Sequence, residues 1–220
     1  MDRAVATDGR ELGRRGAQTR RRILDATTDL LETHGIRDLR VVDIARAVGS
    51  SPATFYQYFR DVEDAVLALA QEVGDELEPL AALLDPPWDG AGGLDNARAL
   101  VDGFVDYWDR HRSVLRTRNL AAQERDSRFR DVRNRTLQGF MAKLTAKIAQ
   151  ARDAGRVVEE ISPVAASAAM VALIERMASF HRELEQIGIG RADLVETTAR
   201  IIHQTVVGQT VVGQTVVGTG

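Results

Sequence analysis

Apolar positions recur along this chain at spacings of three and four over almost its whole length, the period of an amphipathic helix. Ile23, Leu24, Thr27, Leu30 and Leu31 make one such face, predicting a helix from Ala17 that Gly35 stops as a C-cap. Leu39 to Val48 is a second, shorter stretch, ended by Gly49-Ser50. Ser51 followed by Pro52 is an N-cap and first-turn signature, which opens a third helix to about Tyr58. Asp61 caps a fourth from Val62 to about Leu84, with Val66, Leu69, Val73, Leu77 and Leu80 on one side and Pro79 placed to kink it or end it early. Residues 85–93, DPPWDGAGG, form the clearest loop. Its glycines follow no strand and lack the third glycine of a dinucleotide fingerprint. Helical patterns resume at 94–110, 113–123, 126–154, 162–186 and 191–207. In the longest of them Phe129, Val132, Leu137, Phe140, Leu144, Ile148 and Ala151 share a face. Nothing between 17 and 200 alternates as a strand would, so the expected fold is all-α with about nine helices.

The two ends depart from this pattern. Residues 1–16 are polar and aperiodic and read as a flexible basic arm, a solvated tail; the alternative is that Arg3, Arg10, Arg14 and Arg15 let it lie on DNA. At the other end TVVGQ stands at 205–209 and 210–214, and TVVGT at 215–219. These units are too few for a solenoid, so 208–220 reads as a low-complexity tail with no assigned function.

Composition narrows the classes. The chain has 220 residues, 44% hydrophobic and 28% charged, ordinary values for a globular protein able to bury a sizeable core. With no cysteine there is no disulfide, cysteine nucleophile or thiolate metal site. No uninterrupted apolar run approaches the roughly 18–20 residues of a membrane helix, and the first 25 residues lack the apolar stretch of a secretory signal. A cytoplasmic location without membrane association is expected. The net charge of −3 is unevenly spread: residues 1–60 hold 11 Arg against 8 acidic residues, a surplus of +3, and the remainder carries −6. A basic front on an acidic body suits a phosphate-binding face better than the total suggests.

Residues 39–59, LRVVDIARAVGSSPATFYQYF, carry the chemistry. Two short helices meet at a tight turn containing Gly49. Ala45 and Ala47 are small enough for a close crossing, and Ile44, Val48 and Phe55 fill the small core, with Phe59 also inward. This is the layout of a helix-turn-helix, whose second helix enters the major groove by its N-terminal end. Ser51, Ala53, Thr54, Tyr56, Gln57 and Tyr58 are the side chains it offers to phosphates and base edges.

The stretch resembles the DNA-binding domain of the TetR family of transcriptional repressors. Gly35 matches the family's opening glycine. Asp43, Ile44 and Ala45 match its Asp-Ile-Ala, and Gly49, Ser51, Thr54, Tyr56, Tyr58, Phe59 and Glu63 match its turn, recognition helix and closing glutamate. The resemblance covers about residues 17–70. Ser50 and Ala53 replace a common Val and Gly. Arg40 stands where a Thr often caps the second helix and can still reach a phosphate or a guanine edge. Val62 replaces the Lys that commonly touches DNA at the start of the fourth helix; Arg60, two residues earlier, is the stand-in charge. The expected DNA contacts are therefore Arg40, Ser51, Ala53, Thr54, Tyr56, Gln57, Tyr58 and Arg60.

The resemblance implies a flexible basic arm at 1–16, a helix-turn-helix domain at 17–62 and a helical ligand-binding and dimerisation domain at 63–207. Apolar residues able to line a pocket are Phe104, Tyr107, Trp108, Leu120, Phe140, Met141, Leu144, Met170, Leu173, Ile174 and Met177, each of which also suits ordinary core. Arg116 and Asn119, on a helix expected to face inward, are candidate orienting groups. The small residues Ala165, Ala166, Ser167, Ala168 and Ala169, with Leu194, Val195, Thr198, Ile201 and Ile202, place a homodimer interface on the helices near 162–186 and 191–207. The implied partners are double-stranded operator DNA, a small, apolar effector and a second copy of the chain. Catalysis is not expected: His34, His111, His181 and His203 are scattered without metal-ligand spacing, no nucleophile elbow occurs, and no cofactor or metal is implied. The alternative is a helical small-molecule-binding protein without DNA binding.

Overall fold

The computed structural model describes residues 6–208, and among these nine helices occur and no extended strand. They are α1 (Arg14–Leu31), α2 (Val41–Ala47), α3 (Pro52–Tyr56), α4 (Val62–Asp75), α5 (Glu78–Ala82), α6 (Gly93–Gln123), α7 (Ser127–Asp153), α8 (Pro163–Glu185) and α9 (Arg191–Val207). Arg3 of the arm and all of the repeat beyond Gly208 lie outside the described residues. Thr205, Val206 and Val207, the start of the first repeat unit, complete α9.

Local chemistry sets most of the boundaries. Ser51, Asp61 and Ser162 each accept the backbone N–H three residues on, at 3.2, 2.7 and 3.4 Å, and so cap α3, α4 and α8. The structure bears on four expectations. Gly35 is not a left-handed cap: α1 ends at Leu31 with Glu32 as its C-cap, because the tightened bonds Glu32 N–H to Asp29 O and Thr33 N–H to Leu30 O already close the last turn. The stretch expected to kink or end early at Pro79 ends early: α4 stops at Asp75 and Pro79 sits in the first turn of α5, where its missing N–H costs nothing. The expected stretches 94–110 and 113–123 are two helical arms of α6, separated at His111, whose backbone is non-helical (φ −120°, ψ 21°). Within the segment read as an arm, Ala6 is 7% exposed.

The chain forms two compact units. The first holds the described residues up to Glu76 together with His111–Thr136. In it α1 packs on α2 and α4, and α2 on α3. Ile23, Leu24 and Thr27 of α1, with Ile44, Ala45, Phe55, Phe59, Val66 and Leu69, are buried; the Thr27 hydroxyl is satisfied by Ile23 O at 2.8 Å. Arg20 and Arg21 both bond Glu72 of α4, and Arg22 donates to the Val48 carbonyl at 2.6 Å, so the arginine run at 20–22 clamps this unit together. His111 Nε2 lies 2.8 Å from Glu76 Oε2, tying the break in α6 to the end of α4.

The second unit holds Leu77–Arg110 and the described residues from Leu137 onward. Here α8 packs on α9, and charged pairs hold α6 to both. Arg98 grips Glu196 through two bonds of 2.6 and 3.0 Å, Arg191 bonds Asp102 and Asp106, and Asp109 receives both His181 and Arg182. Trp88 anchors the 85–93 loop: its Nε1 donates to Leu83 O at 3.1 Å and its carbonyl meets His203 Nε2 at 2.9 Å. All seven residues expected on one face of α7, Phe129 to Ala151, are buried, Phe129 and Val132 in the first unit and the other five in the second. By length and composition α8 also qualifies to cross a membrane, although no uninterrupted apolar run suggested a span. Its Ala, Val and Met residues raise the average despite Glu175 and Arg176, and only 28% of its most apolar stretch is buried in this chain.

Candidate nucleic-acid interface

The turn between α2 and α3 follows from its residues one by one. Gly49 takes φ +66°, a conformation an L side chain resists. That lets Gly49 N–H reach Arg46 O at 3.1 Å and Ser50 N–H reach Ala45 O at 2.9 Å, the paired bonds of a Schellman C-cap on α2. The next residue, Ser51, is already the N-cap of α3, and Pro52 fixes its first φ. Two helix ends are thus satisfied within three residues, and the crossing of α2 and α3 is rigidly specified. Phe55 points inward, fully buried, with its ring 5.7 Å from Phe59 and 5.8 Å from Tyr56. Ala45 fills the crossing as expected, whereas Ala47 is exposed; in the register of α2, Ile44, Ala45 and Val48 are the buried positions.

The eight expected contact residues all belong to the first unit. Ser51, Ala53, Gln57, Arg40 and Arg60 are exposed, Tyr56 is 52% exposed despite its apolar ring, and Thr54 and Tyr58 are half-buried. The Ser51 and Thr54 hydroxyls share a bond of 3.1 Å. Arg40 is the N-cap residue of α2; its guanidinium carries donors only and cannot cap the N–H groups there. It lines an open depression of about 520 Å³ with His34, Arg37, Asp38, Val42, Asp43 and Arg46. Arg37 is paired there with Glu124 at 2.7 Å and Arg46 with Asp43 at 3.2 Å. This mixed-charge depression around the start of α2 was not anticipated; the spacing of Arg37, Arg40 and Arg46 is the signal for it.

At the start of α4, Val62 is 6% exposed and belongs to the core. Arg60, the stand-in, is held by Asp64 at 2.7 Å. Burial pushes the Asp64 carboxyl up, but the Arg60 side chain and backbone N–H bond it and the net result is below its ordinary value; the same hydrogen bond raises Arg60.

The thirteen residues expected around a ligand divide between the units. In the second, Phe104, Tyr107, Trp108, Phe140, Leu144 and Ile174 are buried, with Phe104 edge-on to Phe140 at 5.2 Å, and Met141, Met170, Leu173 and Met177 are half-buried. Arg116, Asn119 and Leu120 lie in the first unit. Arg116 and Leu120 are exposed, Leu120 at 53%, so the inward face of α6 there is instead Val114, Leu115 and Arg118. Arg118, only 2% exposed and bonded to Asn119 Oδ1 at 3.1 Å, went unsuspected because a charged residue type suggested solvent. The interface candidates are also sorted: Ser167, Leu194, Thr198 and Ile202 are used inside this chain, while Ala165, Ala168, Ala169, Ile201 and also Val164 (61% exposed) face outward.

Comparison with known proteins agrees with this geometry. Residues 23–69 match the family described as bacterial regulatory proteins, tetR family, and residues 80–212 match the tetracyclin repressor-like C-terminal domain. The chain is 26% identical over 207 residues to the HTH-type transcriptional regulator EthR of Mycolicibacterium smegmatis, covering 91% of this chain and 92% of that one. It is 25% identical over 187 residues to EthR of Mycobacterium tuberculosis, covering 84% and 86%. Among solved structures, the transcriptional regulator FadR from Bacillus subtilis, in complex with stearoyl-CoA, has the same fold, with a TM-score of 0.63, 18% identity and coverage of 86% and 99%.

Proposed function

The chain belongs to the TetR family and is a ligand-responsive, DNA-binding transcriptional regulator, and from that premise we propose that it is a cytoplasmic homodimeric repressor released from a palindromic operator by a small apolar ligand. The observation that carries the DNA half is the α2–α3 turn, which buries Phe55 while presenting Ser51, Ala53, Tyr56 and Gln57 to solvent. In this reading Ser51, Ala53 and Thr54 meet the groove at the helix N-terminus, and Tyr56, Gln57 and Tyr58 reach phosphates or base edges. Arg40 and Arg60 add phosphate contacts from the flanking helices. Residues 17–62 read DNA, and residues 63–207 bind ligand and partner. No catalytic step is part of the proposal.

The second copy docks on α8 and α9. Supporting this, α8 leaves most of its apolar stretch uncovered, and α9 exposes Ile201. A membrane is the poorer occupant, because Glu175, Arg176, His181 and Arg182 would enter hydrocarbon at considerable cost. A two-fold dimer places its recognition helices about 34 Å apart, hence the palindrome. The ligand class rests on Phe104, Tyr107, Trp108 and Phe140, and on Met141, Met170 and Met177, whose flexible thioethers adapt to an apolar guest. That FadR of B. subtilis is described with stearoyl-CoA makes long-chain acyl compounds the first class to try. Release requires that the ligand bind a non-operator conformation more tightly than the operator-bound one.

The test is selection of random duplexes on the purified chain, followed by anisotropy at two salt concentrations. A palindrome whose affinity falls steeply with salt supports the proposal, since only phosphate neutralisation releases counterions. Arg40→Ala and Tyr56→Phe should each weaken binding of that duplex by about five- to tenfold without loss of helix content; unchanged affinity in both removes the contact assignment. No enrichment from a folded dimer favours the helical binding protein without DNA. A ligand that binds without weakening the operator complex defeats the release mechanism.

A further inference from the structure

The N-terminal segment ahead of α1 is built against the far end of the recognition helix. Residues 6–10 close on themselves: Ala6 N–H reaches Arg10 O at 2.9 Å, Gly9 N–H reaches Ala6 O at 2.9 Å, and Arg10 N–H reaches Asp8 Oδ1 at 3.0 Å. Ala6 is 7% exposed and anchors this turn. From it Thr7 N–H donates to Gln57 O at 3.0 Å, and the Thr7 hydroxyl is shared between Tyr56 O at 3.1 Å and Gln57 O at 3.2 Å. Those two carbonyls close a helix of only five residues. A helix that short has too few internal bonds to hold its own axis, and its terminal carbonyls lack helical partners. Its N-terminal end is capped locally by Ser51; its C-terminal end is held by a residue 49 and 50 positions away.

We propose that Thr7 is a positioning residue for DNA recognition: it caps the C-terminus of α3 and fixes the backbone from which Tyr56 and Gln57 reach the duplex. This rests on the DNA-binding reading above. The hydroxyl acts through its hydrogen bond and not through charge, which separates it from the basic residues of the same segment. Thr7→Val keeps the volume and removes the shared bond. Thr7→Ser keeps the bond and removes a methyl. Thr7→Pro removes the N–H bond as well.

Each variant is titrated against the duplex selected on the wild-type chain, and hydrogen exchange is followed in the peptide spanning Phe55–Phe59. Thr7→Val should bind about three- to tenfold more weakly, the range expected for losing one neutral hydrogen bond, with faster exchange in that peptide and the same salt slope as wild type. Thr7→Ser should restore both affinity and exchange, and Thr7→Pro should be the weakest binder. Wild-type affinity and exchange in Thr7→Val overturn the proposal, as does Thr7→Ser behaving like Thr7→Val, which would trace the effect to methyl packing. A changed salt slope in Thr7→Val also overturns it, by making the segment's role electrostatic. If the wild-type chain selects no duplex, the DNA-binding reading fails, and the exchange of Phe55–Phe59 still decides whether Thr7 caps α3.

Discussion

Two glycines in this chain are required for opposite reasons, and substituting each tests the distinction. At Gly49 a Cβ meets nothing within 4 Å, but the backbone sits at φ +66°. Alanine there costs the left-handed penalty of about 1–2 kcal/mol, offset by the roughly 0.5–1 kcal/mol it recovers by restricting the unfolded chain, a net loss near 1 kcal/mol. Asparagine tolerates that region and should cost less than alanine. At Gly93 the backbone has an ordinary φ, but a Cβ would fall inside the carbonyl of Trp88. That carbonyl is held by His203 at 2.9 Å and the indole by Leu83, so it cannot easily yield. Both alanine and asparagine at Gly93 should therefore cost about 3 kcal/mol or more. Trp88 and Trp108 are the chain's two tryptophans and both lie in the second unit, so their fluorescence in urea reads Gly93 variants directly. Hydrogen exchange across 41–59 reads the Gly49 variants. The reasoning is refuted if Gly49→Asn is as damaging as Gly49→Ala, or if Gly93 tolerates either side chain.

Three further outcomes follow from particular contacts. Arg125 sits at φ 73° without being glycine, at the end of α6 where Asp126 N–H returns to Ala121 O at 3.0 Å; Arg125→Gly should stabilise the first unit by about 0.5–1 kcal/mol in urea, and a destabilised variant would show the arginine side chain contributing more than its backbone strain. The Arg98 hydrogen bonds, aided by Arg200, hold the Glu196 carboxyl down to about 2. Its stabilisation is therefore complete above pH of about 4.5 and is lost as pH falls from there toward 2; the urea midpoint of the wild type should fall more steeply than that of Glu196→Gln across that window, and parallel profiles would contradict it. If the proposed dimer forms through α8, Val164→Glu, at a position 61% exposed, should convert it to monomer in light scattering, and a variant dimer of wild-type mass would move the interface elsewhere.

What the sequence carries clearly is whatever is decided within one or two helical turns. Ser51, Asp61 and Ser162 were readable as caps because each bonds a backbone N–H three residues on, and no distant residue takes part. The α7 face from Phe129 to Ala151 was readable because burial of a helix needs only its period. Residue type misleads where it is allowed to outvote that period. Val114, Leu115 and Arg118 stand at the spacing of one face and that face is buried, while Arg116 and Leu120, chosen by their chemistry, point to solvent. Ligand-lining residues are harder still, because a side chain facing a guest and one facing a neighbouring helix recur at the same interval; burial of Phe104 and Phe140 is common to both. Contacts such as Thr7 with Tyr56 and Gln57, Arg98 with Glu196, and His203 with Trp88 span 49 to 115 residues and leave no local trace. The helix-turn-helix is thus readable from residues 39–59 because Ile44, Phe55, the Gly49 turn and the Ser51 cap all lie within them, whereas the bonds that hold the far end of its recognition helix come from residue 7.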